Sequence, residues 1–397
     1  MRYFDIVYNP HCGKGGKAIN ADFDLETAKK VNSFHKTFEE YTVTPLVSLD
    51  CTAEYLGVKG VFIKDESYRF GLNAFKGQGG SYCIGRYISQ LLGENIENLS
   101  CKKIASHETM QKTGKITFIT ATDGNHGRGV AWAAKVFDHN AVVYMPKGSA
   151  SERLENIRRL GAQAEMTDAN YDDTVRFAKS QAEENGWVLV QDTAWEGYTD
   201  IPLYIMQGYL TMALEAVQQL GDTVPTHIFL QAGVGSMAGA LTAFFRNVYG
   251  DRVKVIVAEP HKADCIYRTA KADDGEIKFV TGDMDTIMAG LACGEPCTTA
   301  WRILKYGADA FVSMDDTAAA DAMRILASPA GEDTKVISGE SGAAGFGAAV
   351  QILLNHKDIA QKLNMDSSSV VLCFSTEGAT DAENYRNIVW HGLYNSR

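Results

Sequence analysis

Short apolar runs alternate with longer amphipathic ones along most of this chain. Residues 61–64, 116–120, 141–145, 188–190, 228–230, 253–257 and 370–374 are compact and rich in Val, Ile, Phe and Leu, and they predict buried strands. Between them, residues 129–137, 152–160, 171–185 and 204–220 carry apolar positions at helical spacing. Strand and helix in regular alternation predict an α/β fold, with parallel strands and helices on both faces of the sheet. Sheets of this kind bind ligands beyond the carboxyl ends of their strands. Three glycine-rich turns fall there: Thr122-Asp-Gly-Asn-His-Gly127, Gln231-Ala-Gly-Val-Gly-Ser-Met-Ala238 and Ser375-Thr-Glu-Gly378. A fourth, Gly71-Leu-Asn-Ala-Phe-Lys-Gly-Gln-Gly-Gly80, leads into the amphipathic stretch 81–92.

The 397 residues suit two domains of ordinary size, and 45 % hydrophobic with 22 % charged residues is a globular composition. The net charge of −11, without a basic run, argues against nucleic acid and for a small-molecule ligand. The N-terminus lacks the apolar core of a secretory signal and no segment approaches a membrane span, so the expected location is cytoplasmic, away from membranes. Eight scattered cysteines read as reduced thiols. Cys293 and Cys297 form the one close pair, no second pair completes a zinc set, and no metal is expected.

Lys76 stands at the mouth of a helix start, where the helix dipole favours anions over an ammonium group. That placement suits an amine that reacts with an aldehyde, although a lysine in an arbitrary loop is ordinarily just solvated. Gly233-Val-Gly235-Ser-Met-Ala238 follows a strand and opens a helix, so its N–H groups would hold a phosphate. The same stretch satisfies the dinucleotide pattern G-x-G-x-x-G/A, and Glu259 ends the next strand where a ribose-binding acid would sit. An NAD-dependent oxidoreductase is therefore a competing reading, but it leaves Lys76 idle. A phosphate loop, a reactive lysine and a hydroxyl-bearing loop together match pyridoxal 5'-phosphate (PLP).

Asn73-Ala-Phe-Lys76, Thr122-Asp-Gly-Asn-His126, the loop from Gly233 and Ser375-Thr376 resemble the tryptophan-synthase-β-like superfamily, the fold type II PLP enzymes. Over residues of about 40 to about 390 the chain resembles, more closely, the diaminopropionate ammonia-lyase family, in stretches such as Gln191-Asp-Thr-Ala-Trp-Glu-Gly-Tyr198 and Ile337-Ser-Gly-Glu-Ser-Gly342. The resemblance implies two open, twisted, mostly parallel α/β sheets, with the active site between a large and a small domain. The large domain would comprise residues 1–84 and 200–397, the small one residues 85–199. It further implies that Lys76 binds the cofactor covalently with Phe75 beside it, and that Asn125 meets the cofactor's 3′-oxygen. Gly233, Val234, Gly235, Ser236 and Met237 would hold the phosphate, and either Ser375 or Thr376 would offer a hydroxyl to the pyridine nitrogen. Glu340 would line the pocket near the ring or help bind a monovalent cation, and the chain would be a homodimer.

Two carboxylates sharpen the expected chemistry. The wider superfamily usually has a small or hydroxylated residue before Gly-Asn, in the loop that cradles the substrate carboxylate; here it is Asp123. An anion there suits a substrate with a second ammonium group, which 2,3-diaminopropionate has. The family implies Asp123 as base for the D-isomer, Lys76 as base for the L-isomer, and Asp192 as a second carboxylate beside the substrate. The expected reaction is α,β-elimination to pyruvate and two ammonia. As purely structural residues, Asp123 would be an Asx-turn and Asp192 a helix cap. His126 is expected to pack beside the loop, while Trp195 and Tyr198 either close over the substrate or fill the core. Within PLP chemistry, a serine/threonine dehydratase or a D-cysteine desulfhydrase would share Lys76, Asn125 and the phosphate loop, but would have no use for Asp123.

Overall fold

The computed structural model describes residues 3–16, 21–122 and 124–395. Eleven strands form two sheets: β1 (Phe4–Tyr8), β2 (Leu46–Ser48), β3 (Gly60–Asp65), β4 (Thr117–Ala121), β5 (Asn140–Met145), β6 (Gln163–Met166), β7 (Val188–Leu189), β8 (His227–Gln231), β9 (Lys254–Pro260), β10 (Ala310–Met314) and β11 (Val370–Ser375). The larger sheet has the order β1-β10-β9-β8-β11-β3-β2 and the smaller β6-β5-β4-β7. The five inner strands of the larger sheet and all four of the smaller run parallel. The edge strands β1 and β2 run antiparallel to their neighbours. The fold is thus α/β, with two mostly parallel sheets, the arrangement that the resemblance implies.

All seven expected strands are present. The four additional ones carry weaker signals: β2 spans three residues, β6 is a polar edge, Asp5 interrupts the apolar run of β1, and β10 is a buried Ala-Phe-Val-Ser-Met. The single helix expected over residues 204–220 is two, Asp200–Gly208 and Leu210–Leu220, interrupted at Tyr209. The ring of Tyr209 lies 4.7 Å from that of Phe75, so the interruption carries an aromatic contact to the Lys76 loop.

The helices that begin at the glycine-rich turns cross at backbone distance. A Cβ at Gly80, in helix Gly77–Leu92, would lie 3.0 Å from the backbone of Gly129 in helix Asn125–Val136. A Cβ at Gly129 would lie 2.8 Å from the carbonyl oxygen of Lys76. Only glycine permits this approach.

Behind the Lys76 loop lies a fully buried ionic cluster. Lys64, Glu66, Arg69 and Glu215 are each at most 1 % exposed. Arg69 donates to Glu66 at 2.8 and 2.9 Å and to Glu215 at 2.7 and 2.9 Å, and Lys64 donates to Glu215 at 2.8 Å. Burial pushes the Glu215 carboxyl up, but Arg69 and Lys64 outweigh it and hold the group at about 2. Gln78 ties the cluster to the loop, donating to Glu66 at 2.8 Å and accepting from the Met212 N–H at 3.1 Å. Among the described residues no helix is long and apolar enough to cross a membrane.

Two cations and two carboxylates balance here, so removing one partner strands a buried charge. We expect Glu215→Gln to cost about 3–5 kcal/mol, read from urea unfolding; a loss under about 1 kcal/mol would mean that the cluster is not closed as described.

Candidate active site

Lys76 is the N-cap residue of helix Gly77–Leu92. Its loop is held against the segment after β11: Phe75 N–H donates to Thr376 O and Gly378 N–H to Asn73 O, both at 3.0 Å. Lys76 Nζ donates to Asp192 Oδ2 at 2.8 Å. Asp192 lies beyond the end of β7 and is 3 % exposed. Burial raises its carboxyl, yet His126, Lys76 and the Lys76 hydrogen bond outweigh that and hold it well below the usual carboxylate range. The pair is therefore an ammonium facing a carboxylate.

One cavity gathers Phe75, Lys76, Asn125, Asp192, the loop Gly233, Val234, Gly235, Ser236 and Met237, and Thr376. It opens beyond the carboxyl ends of β4, β8 and β11, as parallel sheets dictate. Ser375 and Glu340 lie outside its lining. Ser375 Oγ donates to Ser338 Oγ at 2.8 Å, and Glu340 Oε1 accepts from the amide of Asn384. Thr376 lines the cavity, and its Oγ1 accepts from Gln231 Nε2 at 2.9 Å. Asp123 lies outside the described residues.

The loop from Gly233 is shaped for an anion. Helix Ser236–Tyr249 starts there, and the first-turn N–H groups of a helix have no partner within it. Gly235 has φ +94°, and a Cβ on it would lie 2.6 Å from Ile266 Cδ1. A Cβ on Gly233 would lie 3.1 Å from Cys293 Sγ. Ser236 Oγ donates to the carbonyl of Asp192 at 2.6 Å, fixing the loop to the carboxylate that holds Lys76. A phosphate cradle, an amine and a hydroxyl around one cavity fit PLP.

The same geometry removes the dinucleotide reading. Glu259 is fully buried and accepts from the N–H groups of Ile266 at 3.0 Å and Tyr267 at 2.6 Å. It satisfies the start of helix Cys265–Ala272 and offers nothing to a ribose. Trp195 and Tyr198 stack on each other at 4.4 Å outside the cavity lining, and the Tyr198 hydroxyl donates to Leu189 O at 2.9 Å. They are packing residues here. His126 packs as expected, with Nε2 2.8 Å from Val190 O, while its Nδ1 is 3.8 Å from Asp192 Oδ2. Cys293 lines the cavity, and all eight cysteines are thiols.

Several lining residues carry no mark in the sequence, among them Tyr171, Tyr209 and Gln231. Glu377 is the most consequential. It is 1 % exposed, lines the cavity and accepts from Asn125 Nδ2. Its one signal is its place, directly after the hydroxyl pair in the last glycine-rich turn.

A lysine, a glycine-rich loop at a helix start and a threonine around one cavity, in a fold of two mostly parallel sheets, define a class of cofactor enzymes. The family described as "Pyridoxal-phosphate dependent enzyme" matches residues 37–376, and the chain belongs to it. It is 51 % identical to the diaminopropionate ammonia-lyase of Salmonella typhimurium over 91 % of this chain and 92 % of that one. It is 50 % identical to the Escherichia coli enzyme of the same name over 94 % of this chain and 93 % of that one. The crystal structure of the E. coli diaminopropionate ammonia-lyase with D-serine superposes with a TM-score of 0.92 at 46 % identity, covering 99 % of this chain and 98 % of that one. A threonine deaminase of Solanum lycopersicum, 17 % identical with a TM-score of 0.74, shares the fold.

Burial, and then the neighbouring Glu377, raise the Glu340 carboxyl to about 7. The folded chain thus keeps a proton that the unfolded chain has released, and stability falls as pH rises from the ordinary carboxylate value towards 7. Urea midpoints are expected to drop between about pH 5 and about pH 7.5 more steeply in the native chain than in Glu340→Gln. Equal slopes would refute this assignment.

Proposed function

We propose that this chain is a PLP-dependent diaminopropionate ammonia-lyase, converting 2,3-diaminopropionate of both D- and L-configuration, with one water, to pyruvate and two ammonia. The observation that carries the reading is the ion pair of Lys76 with buried Asp192, set beside a glycine phosphate loop in one cavity. The 50–51 % identity to lyases of this name supports the substrate.

PLP, when bound, supplies the electron sink for charge that develops at the substrate's α-carbon. The N–H groups of residues 233–237 hold its phosphate and Asn125 donates to its 3′-oxygen. Of the two hydroxyls, Thr376 is the one that lines the cavity, so we assign it to the pyridine nitrogen. A neutral hydroxyl leaves that nitrogen largely unprotonated, which suffices for an elimination because the β-group leaves as charge develops. Lys76 would anchor the cofactor and, with its amine free, would take the α-proton of the L-isomer from its own face. Asp123 serves as base for the D-isomer. Asp192 stays ionised and grips the substrate's β-ammonium, which must remain protonated to depart as ammonia. The unsaturated product is then hydrolysed to pyruvate and the second ammonia.

Residues 1–84 with 200–397 form the cofactor domain and residues 85–199 the smaller one, closing over the substrate by rotation. The segregation of β4 to β7 into their own sheet supports this division. We further assign the chain to the cytoplasm as a homodimer, the thiol state of its cysteines supporting the first.

The purified protein is expected to show a visible band at about 410–420 nm and to form pyruvate from DL-2,3-diaminopropionate faster than from serine or D-cysteine. A coloured protein that prefers serine would keep the cofactor and overturn the substrate. Lys76→Ala should lose the band and at least about 10³-fold in kcat. Asp192→Asn should lose turnover of both isomers, whereas Asp123→Asn should lose mainly that of the D-isomer; equal losses for both isomers in Asp123→Asn would overturn the division of bases.

A further inference from the structure

We propose that Glu377 is a positioning residue for the cofactor, orienting Asn125 so that its amide N–H, and not its carbonyl, faces the ring. This rests on the reading of the cavity as a PLP site. The contact runs from Asn125 Nδ2 to Glu377 Oε2, so the amide presents its nitrogen, and not its oxygen, to the glutamate. That nitrogen carries a second hydrogen, which stays available to an acceptor in the cavity that both residues line. An asparagine held only by solvent, or by a partner that both donates and accepts, would sample both amide orientations. One of these turns a carbonyl oxygen towards the electron-rich 3′-oxygen.

Glu377 is itself held in one place. Its Oε1 accepts from Ser341 N–H at 3.2 Å and its Oε2 from Thr380 Oγ1 at 3.3 Å. Its carbonyl accepts from Gly339 N–H at 2.9 Å, and a Cβ on Gly339 would lie 3.1 Å from its Cγ. The backbone on either side is bonded to the Lys76 loop, through Thr376 O and Gly378 N–H. Asn125 begins the helix after β4 of the smaller sheet, whereas Lys76, Thr376 and Glu377 belong with the larger one. One carboxylate therefore sets the orientation of a residue from one sheet against the segment that carries the other ring contacts. The donors to the Glu377 side chain are Asn125 Nδ2, the Ser341 N–H and Thr380 Oγ1. A glutamine in its place could donate as well as accept, and the orientation of Asn125 would no longer be unique.

The test is a double-mutant cycle on the full chain, stripped of cofactor and titrated with PLP. Dissociation constants and visible spectra are measured for the native chain, Asn125→Ala, Glu377→Gln and the double variant, with thermal unfolding recorded for each. Glu377→Gln should weaken PLP binding about tenfold and shift the visible band, the loss of one charge-assisted contact. In the Asn125→Ala background the same change should add less than about twofold, because Glu377 acts through Asn125. An equal loss in both backgrounds, or a native constant and spectrum in Glu377→Gln, overturns the proposal. Should Glu377→Gln fail to fold, Glu377→Asp applies the same cycle, since the shorter acid keeps the charge and withdraws from Asn125. A native chain that takes up no PLP overturns the cofactor reading and this proposal with it; a chain that binds PLP but shows additive losses overturns this proposal alone.

Discussion

The crossing of two helices at Gly80 and Gly129 determines what the cavity can be. Lys76 caps one helix and Asn125 opens the other, and the backbone contact between them leaves no room for a side chain. Any Cβ at the crossing would push apart an amine and an amide that line the same cavity. The buried cluster of Lys64, Glu66, Arg69 and Glu215 supports this arrangement from behind, through Gln78. Such a cluster adds little net stability over an apolar core, but its bonds are directional and admit one placement of the loop.

The electrostatics of the cavity follow from that placement. Asp192 remains charged although buried because cationic partners face it, and so it keeps Lys76 an ammonium until something displaces the pair. In the same cavity Glu377 accepts from Asn125, Ser341 and Thr380, and its neighbour Glu340 is pushed towards the protonated form. Among the described residues the two carboxylates that line the cavity thus differ in their partners: Asp192 is paired with the Lys76 amine, and Glu377 meets the Asn125 amide.

Much of this was legible beforehand. Seven strands, six of them inner, announced themselves by dense apolar runs, and the parallel arrangement placed the glycine turns at one end of the sheets. Lys76 and the 233–237 loop could be named from local pattern, a glycine-rich turn at a helix start, whereas Asn125 was named only through the family resemblance. Edge strands such as β6 gave no signal, since a polar strand at a sheet edge has no buried face to pattern. The break at Tyr209 was also silent, because it answers to an aromatic contact with Phe75 far away in the chain.

The primary structure by itself determined the α/β class and singled out Lys76 and the 233–237 loop as candidate site residues, all of which rest on patterns among near neighbours in the chain. Only the tertiary structure decided that Thr376 rather than Ser375 lines the cavity, that Glu259 caps a helix instead of waiting for a ribose, and that Glu377 meets Asn125. Adjacent residues point in different directions, and which of them faces a ligand is settled by partners such as Gln231 and Ser338, far from them in sequence. Those pairings arise from how two sheets pack, which no local pattern encodes.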